Sequence, residues 1–202
     1  MILKPFLREG AIPLPVTFIS TISKEGIRNV APWSCVMPIL RPLDLICVAS
    51  AHQRDTLVNI RDTKQFVLNL PGIGMVDKVI PTAKKLAPEV DEFVVADLAE
   101  KSSVIVKAPG IAGCYAWMEC ELVHEYCQDK FILLVGKVLR LEIADHVLRP
   151  DGSLDLSKAK PLMMSGLGSG MHFCTVHEID RFEPFGAMFQ NGKDPFADRY
   201  KD

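Results

Sequence analysis

The chain has 202 residues, about half of them apolar and a quarter charged, with a formal net charge of −2. That length suits one domain with a generous core, and the near-neutral balance with scattered Lys and Arg argues against a broad nucleic-acid surface. No stretch approaches the roughly 20 apolar residues needed to cross a bilayer, and the opening MILKPFLREG is broken by Pro5 and Arg8 where a signal peptide would run apolar. The expectation is a cytoplasmic protein with no membrane or nucleic-acid partner. No repeat, low-complexity tract or linker divides the chain, so residues 1–202 are expected to form a single domain.

In chain order, residues 15–23 are β-branched and aromatic and read as a strand entering a tight turn at Lys24-Glu25-Gly26. Residues 27–30 return antiparallel. Residues 43–51 form a second buried strand, after which Asp55 starts a helix with Leu57, Ile60 and Lys64 on one face and Val58 beside them. Residues 66–70 are a strand. Residues 74–87 carry helical spacing that Pro81 should kink or split. Residues 103–109 read as a strand.

Residues 116–126 alternate Ala116, Met118, Cys120 and Leu122 against Glu119, Glu121 and Glu125, the pattern of a half-exposed antiparallel strand. Residues 131–143 form a long strand in which Gly136 marks a bulge or barrel bend. Asp151-Gly152 is a turn, and residues 172–182 read as a last strand. Strands dominate without regular strand–helix alternation. The expected fold is therefore mainly β: an antiparallel barrel with inserted helices rather than a doubly wound sheet.

Two segments carry the chemistry. In SAHQRDTLVNIRDT (residues 50–63), Arg54 precedes a helix start, Asp55 and Thr56 lie in its first turn, and Ser50 ends the preceding strand. A helix N-terminus has unsatisfied N–H groups and partial positive charge, and Arg54 adds a forked cation, so the set suits a phosphate. The alternative is that Asp55 or Ser50 caps the helix and Arg54 pairs with a carboxylate. In TISKEGIRNVAPWS (residues 21–34), Pro32 keeps Ala31 extended, so nearby N–H groups, Asn29 and Ser34 could read a flat heteroaromatic ring with Trp33 as apolar cover. The alternative is a plain loop with Trp33 in the core.

The six cysteines form no CxxC pair, and Cys174 with His177 lacks a partner pair, so they are expected to be small buried hydrophobes rather than metal ligands. The GLGSG at 166–170 lacks the third glycine of a dinucleotide turn and is followed by a strand-like segment, so it reads as a loop.

The run "GIRNVAPWS" followed by "VASAHQRDTLVNIRDTKQFVLNL" resembles the flavin reductase-like family of FMN-binding split barrels, which includes the flavoredoxins. "SVIVKAPGIAGCYAWMECELVHEY", "ILLVGKVLRLEIAD" and "PLMMSGLGSGMHF" are similar as well, so the resemblance spans most of residues 10–185. It implies a Greek-key antiparallel split barrel with FMN in a shallow site at a homodimer interface. By that resemblance Arg54 and Thr56, with Ser50 and Asp55, would hold the phosphate. Asn29, Ala31, Pro32, Trp33 and Ser34 would line the ring, with Thr21 close by. Cys35 could approach the flavin. The family usually has an aromatic residue near 171–173, where this chain has Met171-His172-Phe173, so His172 could face the flavin or substrate.

The resemblance implies an NADH- or NADPH-dependent flavin reductase with no protein acid or base required for hydride transfer. A flavoredoxin-like carrier reduced by a redox protein partner is the second reading. A non-redox module for another phosphorylated heterocycle is the third.

Overall fold

Strand β2 (Thr17–Ile22) lies at the heart of the molecule because both of its faces are buried. Phe18 points to one hydrophobic cluster and Ile19 to another, and Val67 and Leu68 of β6 divide in the same way. This period-2 division of apolar residues between two covered faces explains why these strands read as near-continuous apolar runs. The structure is a computed structural model and describes residues 2, 4, 9–39, 43–52, 54–166, 170–180, 189, 191 and 192.

The elements run β1 (Leu14–Pro15), β2, β3 (Arg28–Trp33), β4 (Val36–Pro38), β5 (Leu45–Ser50), α1 (Asp55–Thr63), β6 (Gln65–Leu70), α2 (Val76–Ala83) and α3 (Glu92–Val95). They continue with β7 (Glu100–Lys101), β8 (Gly110–Ile111), β9 (Ala116–Cys127), β10 (Ile132–Ile143), α4 (Leu156–Ala159), β11 (Met163–Ser165) and β12 (His172–Cys174). Seven strands form one curled antiparallel sheet in the order β3-β2-β6-β9-β10-β5-β4. A small sheet β1-β11-β12 and a short pair β7-β8 flank it. Helix α1 covers one face through Leu57 and Ile60, while α2 and α3 cover the other through Val79 and Phe93.

The β2–β3 hairpin closes at Gly26, whose φ of +88° is the left-handed conformation that glycine adopts at least cost. The Ser23 N–H donates to the Ile27 carbonyl across that turn. In β10 the register against β9 shifts between Val135 and Gly136, the expected bulge. Here the glycine is required by space: a Cβ would stand 2.5 Å from Phe66 Cζ. Phe66 is fully buried, so the ring or the strand must shift to admit a methyl group. Gly136→Ala is expected to lower the unfolding free energy by about 1–3 kcal/mol through overpacking, read from the urea midpoint. A midpoint within error of wild type would show that the core yields at this position.

Several expectations are corrected. Residues 103–109 form no strand: the Val104, Ile105 and Val106 N–H groups all donate to the Glu119 carboxylate instead of to a neighbouring strand. For the same reason Glu119 is not on an exposed face but is 2% exposed. Pro81 neither splits nor visibly ends α2 at once; it sits in the last turn, where the helix has only two residues left to run. The last strand stops at Cys174; residues 175–180 carry no strand, and the rest of that segment lies outside the described residues.

On α1, Leu57 and Ile60 are buried as expected, but Val58 is half exposed, and Lys64 is the left-handed C-cap with φ 62° rather than a face residue. Cys47, Cys114 and Cys120 are buried, whereas Cys35 and Cys127 are exposed and Cys174 is intermediate. Of the GLGSG loop, residues 167–169 lie outside the described residues.

Candidate functional site

A cavity of about 580 Å³ opens between β3, the start of α1, the end of α2 and the start of α3. That volume is within the ordinary range for a small-molecule site. Asn29, Ala31, Pro32 and Trp33 form one wall, Arg54, Asp55 and Thr56 an end, and Lys84, Lys85 and Glu92 the side opposite. Seven of the residues nominated from the sequence therefore converge here, although the two segments that supply them are separated by β4 and β5.

The start of α1 is open. Arg54 is the N-cap residue in extended conformation, and no side chain caps the helix. Neither Asp55 nor Ser50 fills that role: the Ser50 hydroxyl donates to the Ala51 carbonyl, and Ser50 is buried outside the cavity lining. Among the described residues Arg54 makes no ion pair, and neither do Lys84 and Lys85. Three uncommitted cations and an uncapped helix start thus border one cavity, an arrangement that attracts an anion.

The β3 wall is more committed than its sequence suggests. Asn29 Oδ1 accepts from Thr56 Oγ1 at 2.8 Å and from Thr21 Oγ1 at 3.3 Å. Asn59 Nδ2 donates to Thr21 Oγ1 at 3.0 Å, and Asn29 Nδ2 donates to Glu92 Oε2 at 2.7 Å. Thr21 is wholly buried and lies beneath the cavity, where its hydroxyl orients Asn29. The Thr56 hydroxyl proton is likewise spent on Asn29, which leaves the first-turn N–H groups of α1 as the donors.

The backbone of β3 departs from expectation in the same way. It is an edge strand, and its Val30 N–H donates to Glu92 Oε2 at 2.7 Å. In an antiparallel ladder the next residue facing that side is Pro32, which has no N–H. That edge row therefore presents carbonyls to the cavity side and no free N–H at residues 30 and 32. One buried side-chain donor is left over: among the described residues Trp33 Nε1 has no hydrogen-bond partner.

Glu92 is the residue that sequence reasoning missed. It is 7% exposed yet lines the cavity. Burial pushes its carboxyl up to about 7 against the opposing effect of the Val30 N–H bond, and the nearby Asp55 and Asp91 charges add to the rise. In the sequence it follows Asp91, whose side chain caps α3 by accepting from the Phe93 and Val94 N–H groups. An acidic pair at a helix start is ordinary, so nothing local marks Glu92 as buried. Lys84 and Lys85 were missed as well; a Lys-Lys pair after a helix reads as solvated surface.

Besides Thr21 and Ser50, three nominated residues lie outside the cavity lining. Ser34 and Cys35 follow β3 but do not line the cavity, and the Cys35 carbonyl accepts from the Ala49 N–H. His172 is exposed on β12 in the small sheet, paired opposite Ser165, because β12 closes against β11 rather than against the main sheet. Among the described residues no three His, Cys, Asp or Glu side chains are grouped closely enough to hold a metal ion. None of the described helices is long and apolar enough to cross a membrane.

The flavin reductase like domain family matches residues 9–166. The chain is 61% identical over 207 residues to an uncharacterized protein of Methanothermobacter thermautotrophicus, spanning 100% of this chain and 97% of the relative. It is 32% identical over 156 residues to an uncharacterized protein of Aquifex aeolicus, spanning 75% of this chain and 80% of the relative. Its fold is similar to flavoredoxin of Desulfovibrio vulgaris, with a TM-score of 0.79 at 18% identity over 94% of this chain and 100% of that one. It is similar to nitrilotriacetate monooxygenase component B from Bacillus cereus, with a TM-score of 0.79 at 24% identity over 90% of this chain and 98% of that one.

The curled sheet is that of a split barrel, and the family match supports a flavin-related function. The protein belongs to the flavin reductase-like family.

The residues present fit FMN. The uncapped α1 start and the unpaired Arg54 match a phosphate, and the apolar Ala31–Pro32–Trp33 wall with its orphaned Nε1 matches a flat ring with acceptor atoms.

Proposed function

We propose that this protein binds FMN in the cavity and acts as an NAD(P)H-dependent flavin oxidoreductase. The observation that carries the reading is the open, uncapped N-terminus of α1, with Arg54 in no ion pair among the described residues, at one end of a cavity that Ala31, Pro32 and Trp33 also line. FMN, when bound, supplies the hydride chemistry. The chain's own residues bind and orient. Arg54 and the first-turn N–H groups of α1 hold the phosphate, while Lys84 and Lys85 raise the local positive potential. Ala31, Pro32 and Trp33 shield one side of the ring from water, and Trp33 Nε1 has a hydrogen bond to give that no described residue takes. Asn29, fixed by Thr21, Thr56 and Glu92, keeps the β3 wall rigid. No side-chain acid or base is assigned to the transfer itself.

The reading also includes a homodimer, which rests on the family resemblance and is checked by light scattering. A flavoredoxin-like carrier, in which FMN stays bound and a protein donor reduces it, differs only in the source of electrons. The fold shared with flavoredoxin favours keeping it as the second reading. The test is the visible spectrum of purified protein after FMN addition and desalting, followed by stopped-flow mixing with NADH and NADPH. Retained flavin bands bleached by either nicotinamide are expected. Retained flavin inert to both, but reduced by a ferredoxin-type donor, would move the protein to the carrier reading. If the protein retains no flavin and binds none, both are wrong.

A further inference from the structure

The carboxyl of Glu92 has no role in holding a phosphate, and its surroundings are unusual for a carboxylate. Oε2 accepts from two neutral donors, Asn29 Nδ2 and Val30 N–H, both at 2.7 Å. No cation is paired with it, and no hydrogen bond engages Oε1 among the described residues. A buried carboxylate normally has a positive partner.

The charged groups around it are all assigned elsewhere or face the cavity. From β3, Arg28 is turned to Asp91 and Glu100 and lies over the Phe93 ring. On α3's own N-cap, Asp91 is engaged with Arg28. From α2, Lys78 pairs with Asp77 and Asp97. From the start of α1 come Arg54 and Asp55, and from the segment after α2 come Lys84 and Lys85, all on the cavity wall. His52 also lines the cavity, with its Nε2 on the Gln128 carbonyl.

We propose that Glu92 is a proton-linked residue of this cavity: it protonates when an anionic ligand enters and ionises when the ligand leaves. The inference rests on the reading that the cavity takes a phosphate-bearing ligand. With the cavity empty, the hydrogen bonds on Oε2 favour the carboxylate against its burial and against the nearby Asp55 and Asp91 charges. A bound phosphate, at about −1.5 to −2 charge near neutral pH, adds a further like charge to the cavity that Glu92 lines. The balance then tips toward the acid, with the proton on Oε1, the oxygen that no hydrogen bond engages among the described residues.

The sign follows. Glu92 binds its proton more tightly with ligand than without, so ligand affinity is greatest at low pH and declines as pH rises above the empty-cavity value. That value lies where burial has raised it, about 7. The phosphate of FMN has its own second ionisation near pH 6, so the comparison belongs above about pH 7.

The experiment is a titration of the full chain with FMN. Flavin-fluorescence quenching is followed between about pH 7 and about pH 8.5, with calorimetry in two buffers of different ionisation enthalpy. Wild type should take up a fraction of one proton per FMN and lose affinity about five- to tenfold across that range. Glu92→Gln, which keeps the acceptor oxygen but cannot ionise, should take up none and bind with little dependence on pH. Because the Glu92→Gln substitution could disturb the fold, wild type labelled at the glutamate carboxyl carbon supplies an independent reading by NMR. One buried glutamate should titrate near neutrality and move to higher pH with FMN. Superimposable profiles for wild type and Glu92→Gln, or a labelled carboxyl unmoved by FMN, overturn the inference alone. Absence of FMN binding at every pH overturns the flavin reading and this inference with it.

Discussion

Replacing Glu119 with alanine is expected to destabilise the protein by about 3 kcal/mol, because three backbone N–H groups lose their only acceptor and each buried orphan costs about 1–3 kcal/mol. The upper end does not apply, since Val104 and Ile105 are exposed enough for water to reach their amides. Arg140, 3.5 Å from Glu119 and paired with Glu142, also loses part of its anionic environment. For a chain of this size the loss corresponds to a fall of roughly 6–12 °C in Tm. Calorimetry or a urea titration measures it, and a change below about 1 kcal/mol would show that water or another acceptor replaces the carboxylate.

The same residue gives a pH signature. Burial alone would raise its carboxyl, but the bonds from the Val104, Ile105 and Val106 N–H groups and the Arg140 charge outweigh burial and hold it below the ordinary carboxylate range. A group with a depressed value in the folded state stabilises above its unfolded value. Glu119 therefore contributes fully near neutrality, and its contribution is lost as pH falls below that of a free glutamate. The acid limb of the wild-type stability curve should be shallower in the alanine variant.

Arg54→Ala is expected to weaken FMN binding about ten- to a hundredfold, the loss of one charge-assisted hydrogen bond of roughly 1.5–3 kcal/mol. Unfolding should be unaffected, since Arg54 is exposed and makes no ion pair among the described residues. That separation distinguishes a binding role from a structural one. Arg54→Lys should fall between, keeping the charge without the planar fork. An unchanged dissociation constant in the alanine variant would transfer the phosphate to Lys84 and Lys85.

How much of this was legible in the sequence depends on the range of each interaction. The apolar runs at 15–23, 43–51 and 66–70, the Gly26 turn, the Gly136 bulge and the helix starting at Asp55 were all readable, because each depends on local periodicity or local backbone need. The run at 103–109 was misread for the opposite reason. Its composition is that of a strand, but its N–H groups are satisfied by one carboxylate on β9, more than ten residues further on.

The candidate site divides the same way. Arg54, Asp55 and Thr56 were visible because a helix start has a recognisable local pattern, and Asn29 to Trp33 because Pro32 holds the backbone extended there. Which donors those residues still have to give was not visible. Thr21 and Thr56 both donate to Asn29, so the three are tied together across three elements. The Val30 N–H is taken by a glutamate 62 residues away. His172 shares a sequence neighbourhood with the family's aromatic position, yet strand pairing carries it into another sheet.

The sequence by itself determined the class of fold and the two segments from which a phosphate and ring site could be built, because strand periodicity, turn chemistry and helix starts are local properties of the chain. Only the tertiary structure decided that Lys84, Lys85 and Glu92 complete the cavity. It alone also decided that a carboxyl would stand there without a cation. Burial and charge pairing depend on which distant elements meet, and no local pattern encodes that.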